Sequence, residues 1–529
     1  MAGTPGSTRP SPSRRWRIAV LAASLAAVTA AAGCSSSKSS ASGSSTAAKD
    51  VAFGTIGAPP TLNPATGDPA YGSLYQWAYD PLVVMKGDGS FAPGLATKWG
   101  YVGDGNTSYE LTLRDGVKFS DGTAMDAQAV KTFLDYERSQ KTGSISQLLV
   151  SVGSIDVTGP LTVRLTLTKP DPNLTFNFAQ AFGAGDIASP KAVANPSTLD
   201  AGTAGAGPYM LDASKTVAND HYTFVQNPNY WDKGRQHFQT VTVRVIANPS
   251  SMVQAVQAGQ IQAALGDATT LQAARSAGLT VIAPQQALVG LNLVDRGGQL
   301  AKPLGDVRVR QALNLAVDRS AIAQALYGDK KLALSQYALD GQAAYDDTLN
   351  GKAAYDVAKA KQLLSEAGYQ NGFDLPVLSL SPASGDKVIQ AIAGQLGKIG
   401  VTLKITSKAT IPDYVTTMLS GQFPATFIGY GLANMGSLYA GFVNPQGPFN
   451  PFHTVDPQLD ALYQQYNVAN PQDSGKAQQQ INGYLVDQAW AVPVVGAPLS
   501  YYLAKGYTGL DATSANAGVP WLTDLRPAG

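Results

Sequence analysis

The chain has a single cysteine in 529 residues, three histidines and only 14% charged side chains. One cysteine excludes an intrachain disulfide, and His221, His237 and His453 show neither metal-ligand spacing nor a His-Glu-x-x-His pair. A Gly-x-Ser-x-Gly elbow and a phosphate-binding loop are missing as well. Gly205-Ala206-Gly207 runs into Pro208, which lacks the N–H that a phosphate cradle uses. The expectation is therefore a protein without catalytic residues, metal site or cofactor. Charge of one sign is also missing: the formal +1 falls to −3 once the four arginines ahead of residue 18 are set aside. Without a basic field, nucleic acid is not an expected partner.

What is present begins with Arg14, Arg15 and Arg17 ahead of an uncharged run from Ile18 to Gly33. Too short and too small-sided to span a bilayer, it reads as a secretory signal over residues 1–33. Ala32-Gly33-Cys34 resembles a bacterial lipobox, which implies a diacylated Cys34 as mature N-terminus and a lipid anchor on the outer face of the cell membrane. The serine-rich stretch 35–45 has nothing to bury and reads as a tether to residue 49. Ser13-Arg14-Arg15 faintly resembles a twin-arginine signal, but Arg17 stands where an apolar residue is wanted, which favours general secretion.

Beyond the tether, 54 glycines and 32 prolines in the whole chain imply many turns in a large globular body. Val51–Ile56 reads as the first strand, stopped by the prolines of Pro59-Pro60-Thr61-Leu62-Asn63-Pro64. Tyr71–Ala78 reads as a short helix. Tyr109–Arg114 and Val117–Ser120 alternate apolar and polar residues across Asp115-Gly116, predicting a hairpin. Asp126 predicts a helix cap, with Val130, Phe133 and Leu134 on one face, and 152–157 with 161–167 predicts a further hairpin. Asn248-Pro249 and Asp306 predict helix starts. Ala287–Val294 is apolar enough for a strand covered on both faces. Strands and helices then alternate through Leu375–Leu380, Lys387–Ile399 and Val401–Thr406, and Ala491–Gly496 reads as a returning strand.

Three groups of residues in order resemble one family. Tyr79-Asp80-Pro81-Leu82, Pro93–Trp99 and Leu113–Thr123 form the first group. Gly205–Tyr209 with Asn227-Pro228-Asn229-Tyr230-Trp231 form the second, and Val307–Arg319 the third. They are similar to the family 5 extracellular solute-binding proteins, the dipeptide, oligopeptide and nickel receptors of ABC importers. That resemblance implies an α/β fold, a two-lobed periplasmic-binding-protein-like clamp of class II type. Lobe I would hold 50–286 and 497–529, with an extra subdomain over about 73–200, and lobe II would hold 287–496. It also implies a monomer that captures a peptide or other small solute between the lobes and delivers it to an ABC permease in the membrane. A solute-sensing or surface interaction lipoprotein of the same fold is the alternative, and an oligosaccharide or a metal chelate the alternative ligand. The motifs themselves read as supports of the fold. The ligand positions implied are Pro60 and Thr61 in the loop 58–62, Tyr79, and Tyr430, Asn434 and Met435 in the second lobe. In peptide receptors the last segment carries an aspartate for the peptide ammonium group. Here no charged residue occurs from Gly429 to Phe452, leaving Asp68 or Asp186 of the other lobe as candidate acids, while Phe449, Phe452 and Tyr439 read as packing residues.

Overall fold

The computed structural model describes residues 49–141, 144–380, 385–431, 434–447, 449–511 and 519–529. The signal segment, Cys34 and the tether up to residue 48 lie outside the described residues.

Asp50–Thr55 forms a strand because Val51 and Phe53 are driven into the core, where both are buried. It runs parallel to Thr240–Val245 on one side and Ala263–Gly266 on the other. The full sheet has seven strands, in the order Thr280–Ile282, Ser500–Leu503, Ala263–Gly266, Asp50–Thr55, Thr240–Val245, His221–Gln226 and Tyr209–Leu211. Between its first and second strands in the chain lies a four-stranded antiparallel sheet, ordered Ala96–Tyr101, Ser108–Leu113, Thr162–Leu167 and Val152–Gly159. The helix Ala127–Ser139 covers it, started by the Asp126 carboxylate accepting from the Ala129 N–H and buried through Val130, Phe133 and Leu134.

A second, five-stranded sheet is ordered Val401–Lys408, Phe373–Leu380, Ala425–Gly431, Gln285–Asn292 and Ala491–Pro498. The chain passes from the packing around the seven-stranded sheet, termed the first body, to that around the five-stranded sheet, the second, at residues 283–284 and returns at Leu499. The two crossings touch, since the Leu499 N–H donates to the Pro284 carbonyl at 3.1 Å. Along the antiparallel pair that follows, the register shifts between Val289 and Gly290. A β-carbon on Gly290 would lie 2.1 Å from the Val492 carbonyl oxygen, so only glycine fits at this bulge.

Behind this sheet the helix Val307–Leu315 is capped by Asp306 and Arg319–Tyr327 by Asp318. Arg319 is buried and donates to the carbonyls of Leu334, Pro493, Asn314, Val317 and Ala353. It ties these helices to the returning strand, and burial holds its guanidinium down at about 10.

Two expectations need correction. Ser108–Leu113 pairs with Ala96–Tyr101 and Thr162–Leu167, not with Val117–Ser120. The 117–120 segment instead turns on itself, the Phe119 N–H donating to the Thr123 carbonyl. The helix expected over 71–78 is one turn, Gly72–Tyr75. The segment through Tyr430, for which the sequence offered no element, is a central strand up to Gly431.

Candidate functional site

The first two motif groups converge in the interior of the first body, while Val307–Arg319 packs in the second. The Asp80 carboxylate is fully buried, and one oxygen accepts from Tyr230 O–H at 2.9 Å and Trp231 Nε1–H at 3.0 Å. Arg114 lies 4.0 Å over the Trp231 ring and donates to the Gly94 carbonyl. β-Carbons on Gly205 and Gly207 would lie 2.2 and 2.5 Å from backbone atoms of Ala78. These motifs therefore hold one packed junction together.

Tyr79 belongs to that junction and not to a cleft: its ring has no exposed surface, and its hydroxyl accepts from the Ala204 N–H at 3.4 Å. Burial raises its phenol well above the usual range. Tyrosine has an apolar body, and here that body is what the fold uses.

The loop after the first strand presents Pro60, which is exposed. Thr61 donates to Asp200 Oδ1 at 3.0 Å and accepts from the Asn63 N–H at 3.1 Å, while its carbonyl accepts from Tyr75 O–H at 2.9 Å. The loop is thus a braced edge.

On the second body, Gly429 and Gly431 are exposed at the end of their strand. Among the described residues, pairing with the 373–380 strand stops at Phe427. Tyr430 donates to the Ser437 carbonyl at 3.0 Å. Its ring packs edge-on against Phe442 at 4.4 Å and Phe449 at 5.1 Å, and burial pushes its phenol up to about 12. Asn434 caps the short helix Met435–Leu438: its Oδ1 accepts from the Ser437 N–H at 3.0 Å, and Ser437 Oγ accepts from the Asn434 N–H at 3.3 Å. Met435 is fully buried behind that cap and is a core residue. Among the described residues of this segment, the side chains of Tyr430, Asn434 and Ser437 are hydrogen-bonded within it.

Neither proposed acid is a free surface charge. Asp68 caps the turn Pro69–Tyr71 and accepts from Ser144 O–H at 2.8 Å. Asp186 is buried, and that burial, with Asp80 nearby, raises its carboxyl well above the usual range. Among the described residues no group of three or more histidine, cysteine or carboxylate side chains could hold a metal.

Among the cavities away from this segment, two are larger than the third. An open groove of about 870 Å³ over the outer face of the first sheet is lined by threonines with Asp50, Lys215, His221 and Arg244. A pocket of about 380 Å³ sits among Gln311, Tyr337, Lys352 and Asp487 in the second body.

The family profile "Bacterial extracellular solute-binding proteins, family 5 Middle" matches residues 90–447. The chain is 29% identical over 482 residues to heme-binding protein A of Haemophilus influenzae, covering 83% of this chain and 85% of that protein. It is 28% identical over 380 residues to the glutathione-binding protein GsiB of Salmonella paratyphi A, covering 68% of this chain and 70% of that one. Among solved structures, HbpA2 from Haemophilus parasuis superposes with a TM-score of 0.76 at 22% identity, over 91% of this chain and 100% of that chain.

Proposed function

The chain belongs to family 5 of the bacterial extracellular solute-binding proteins, which bind peptides or similar small solutes for ABC importers, and from that premise we propose that it is a lipid-anchored, monomeric receptor for a solute that is neutral where it meets the second body. The solute lies between the loop at Pro60 and Thr61 and the strand end Gly429–Gly431, with Tyr430 and Asn434 shaping the second wall from behind. Tyr79 and Met435 support these walls without touching solute.

One observation carries the ligand class: no charged residue occurs from Gly429 to Phe452, and the polar side chains Tyr430, Asn434 and Ser437 are bonded to one another's segment. An enclosed ammonium group without a partner loses hydration at a cost of several kcal/mol, against a total of about −8 kcal/mol for a micromolar receptor. Unmodified short peptides are therefore poor ligands, and N-blocked peptides or neutral oligosaccharides are better ones.

Calorimetry with matched free-amine and N-blocked peptides, alongside neutral oligosaccharides, tests this. Tight binding of the free-amine series, lost on blocking the amine, contradicts the reading.

Anchoring follows from Cys34, because acyl chains contribute about 0.8 kcal/mol per buried CH₂ and two of them hold a protein durably. A Cys34→Ala variant is expected in the soluble fraction after cell disruption. Retention in the membrane fraction at the wild-type level refutes the anchor.

A further inference from the structure

The two bodies touch at a place apart from the crossings at 283–284 and Leu499. Asn106, in the turn between Ala96–Tyr101 and Ser108–Leu113, donates through Nδ2 to the Asn467 carbonyl at 2.9 Å and the Ala469 carbonyl at 2.8 Å. Both acceptors stand at the C-terminus of the helix Pro457–Val468, where the last carbonyls have no partner within their own helix. Asn106 is only 5% exposed and holds φ at +51°, a conformation that asparagine tolerates better than most residues.

Beside it, Tyr466 O–H, from the same helix, donates to Asn173 Oδ1 at 3.0 Å. Asn173 is fixed by Asp171, whose Oδ1 accepts from its N–H at 2.9 Å and from its Nδ2 at 3.1 Å, while Asp171 Oδ2 accepts from Ser151 O–H. A β-carbon on Gly436 would lie 2.5 Å from Asn173 Nδ2, so glycine permits the approach.

We propose that Asn106 and Asn173 form a latch that holds the two bodies closed, so that retention of solute is set partly by protein–protein hydrogen bonds as well as by contacts to solute. The proposal rests on the reading above that solute lies between the two bodies. Rotation about the crossings breaks all three bonds. Each neutral hydrogen bond favours closure by about two- to tenfold. Because none of the three is an ion pair, the latch is insensitive to salt. Asn106 and Asn173 are positioning residues for capture.

The test needs no solute. Spin labels at Val102, which is 44% exposed, and at Gln472, which is exposed, bracket the contact. They are placed in the full chain with Cys34→Ser, and the distance between them is measured by pulsed electron resonance. The wild-type background is expected to give one short distance in both low and high salt. Asn106→Gly keeps the positive φ and deletes the amide; combined with Tyr466→Phe it is expected to lower the closed-to-open ratio at least about tenfold and bring in a longer distance. A double variant with the wild-type distance distribution overturns the latch, as does a wild-type background that is already open. Should the double variant fail to fold by circular dichroism, Asn106→Asp, which sets a carboxylate against two carbonyls, is expected to give the same opening, and no opening there overturns the proposal. Failure of the calorimetric ligand test leaves this distance unchanged, so the two failures are separable.

Discussion

Asp80 shows how a single residue can serve structure at an electrostatic cost. It is fully buried with one oxygen bonded to Tyr230 and Trp231 and the other without a hydrogen-bond partner. Burial pushes its carboxyl up to about 6, against an ordinary value of 3.8. Between those values the unfolded chain has lost the proton while the folded chain keeps it. Stability is thus fully present below about pH 4 and falls as pH rises through 6, by on the order of 3 kcal/mol. Glu137, buried with both oxygens unpartnered, and Asp186 are raised by burial too and push the slope the same way. Asp80→Asn keeps an acceptor for both donors and removes one titration, so its denaturant-unfolding free energy is expected to fall less steeply from pH 4 to 7 than that of the wild type. Parallel pH profiles for the two chains contradict this assignment. None of this burial was legible in Tyr79-Asp80-Pro81-Leu82: tyrosine and aspartate are common at surfaces, and only the packing of Gly205 and Gly207 against Ala78 shows that this stretch is interior.

At the scale of elements, caps and turns were the legible part. Asp126, Asn248 and Asp306 each accept from a backbone N–H at a helix start, because a short side chain with an oxygen at that place has few other uses. Pairing partners were less legible. Alternation marks Ser108–Leu113 as a half-buried strand but says nothing of which strand lies beside it, and the preceding Ala96–Tyr101 and the distant Thr162–Leu167 took the place of Val117–Ser120. No strand was read over Ala425–Gly431, yet Phe427 and the pairing of that stretch with Gln285–Asn292 carry it as one. The cap at Asn434 yields a specific expectation. Asn434→Asp preserves acceptance from the Ser437 N–H and adds negative charge at a helix start, where it is favourable. It also restores a carboxylate to a segment that has none. Free-amine peptides are expected to bind this variant more tightly than the wild type in calorimetry, with N-blocked peptides little changed. Equal selectivity in both chains contradicts the view that this segment reads the ligand's charge. Asn434→Ala, losing the cap, is expected to cost about 1 kcal/mol of stability in denaturant unfolding.

The described residues carry two large sheets joined by adjacent crossings, and the two apolar strands that bound the second, near Ala287–Val294 and Ala491–Gly496, stand out in the sequence about two hundred residues apart. The hydrogen bond between Leu499 and Pro284 does not, nor does the contact of Asn106 with Asn467 and Ala469, since a lone asparagine in a glycine-rich turn carries no sign of its partner. The proposed receptor depends on closure, because its solute is proposed to be enclosed between the two sheets against a neutral wall. Small-angle X-ray scattering of the full chain, first stripped of retained solute and then reloaded with the solute recovered from it, measures this directly. With the latch weakened by Asn106→Gly combined with Tyr466→Phe, so that the stripped chain starts open, the radius of gyration is expected to fall on reloading; a radius that stays the same under saturating solute contradicts a receptor that works by closing.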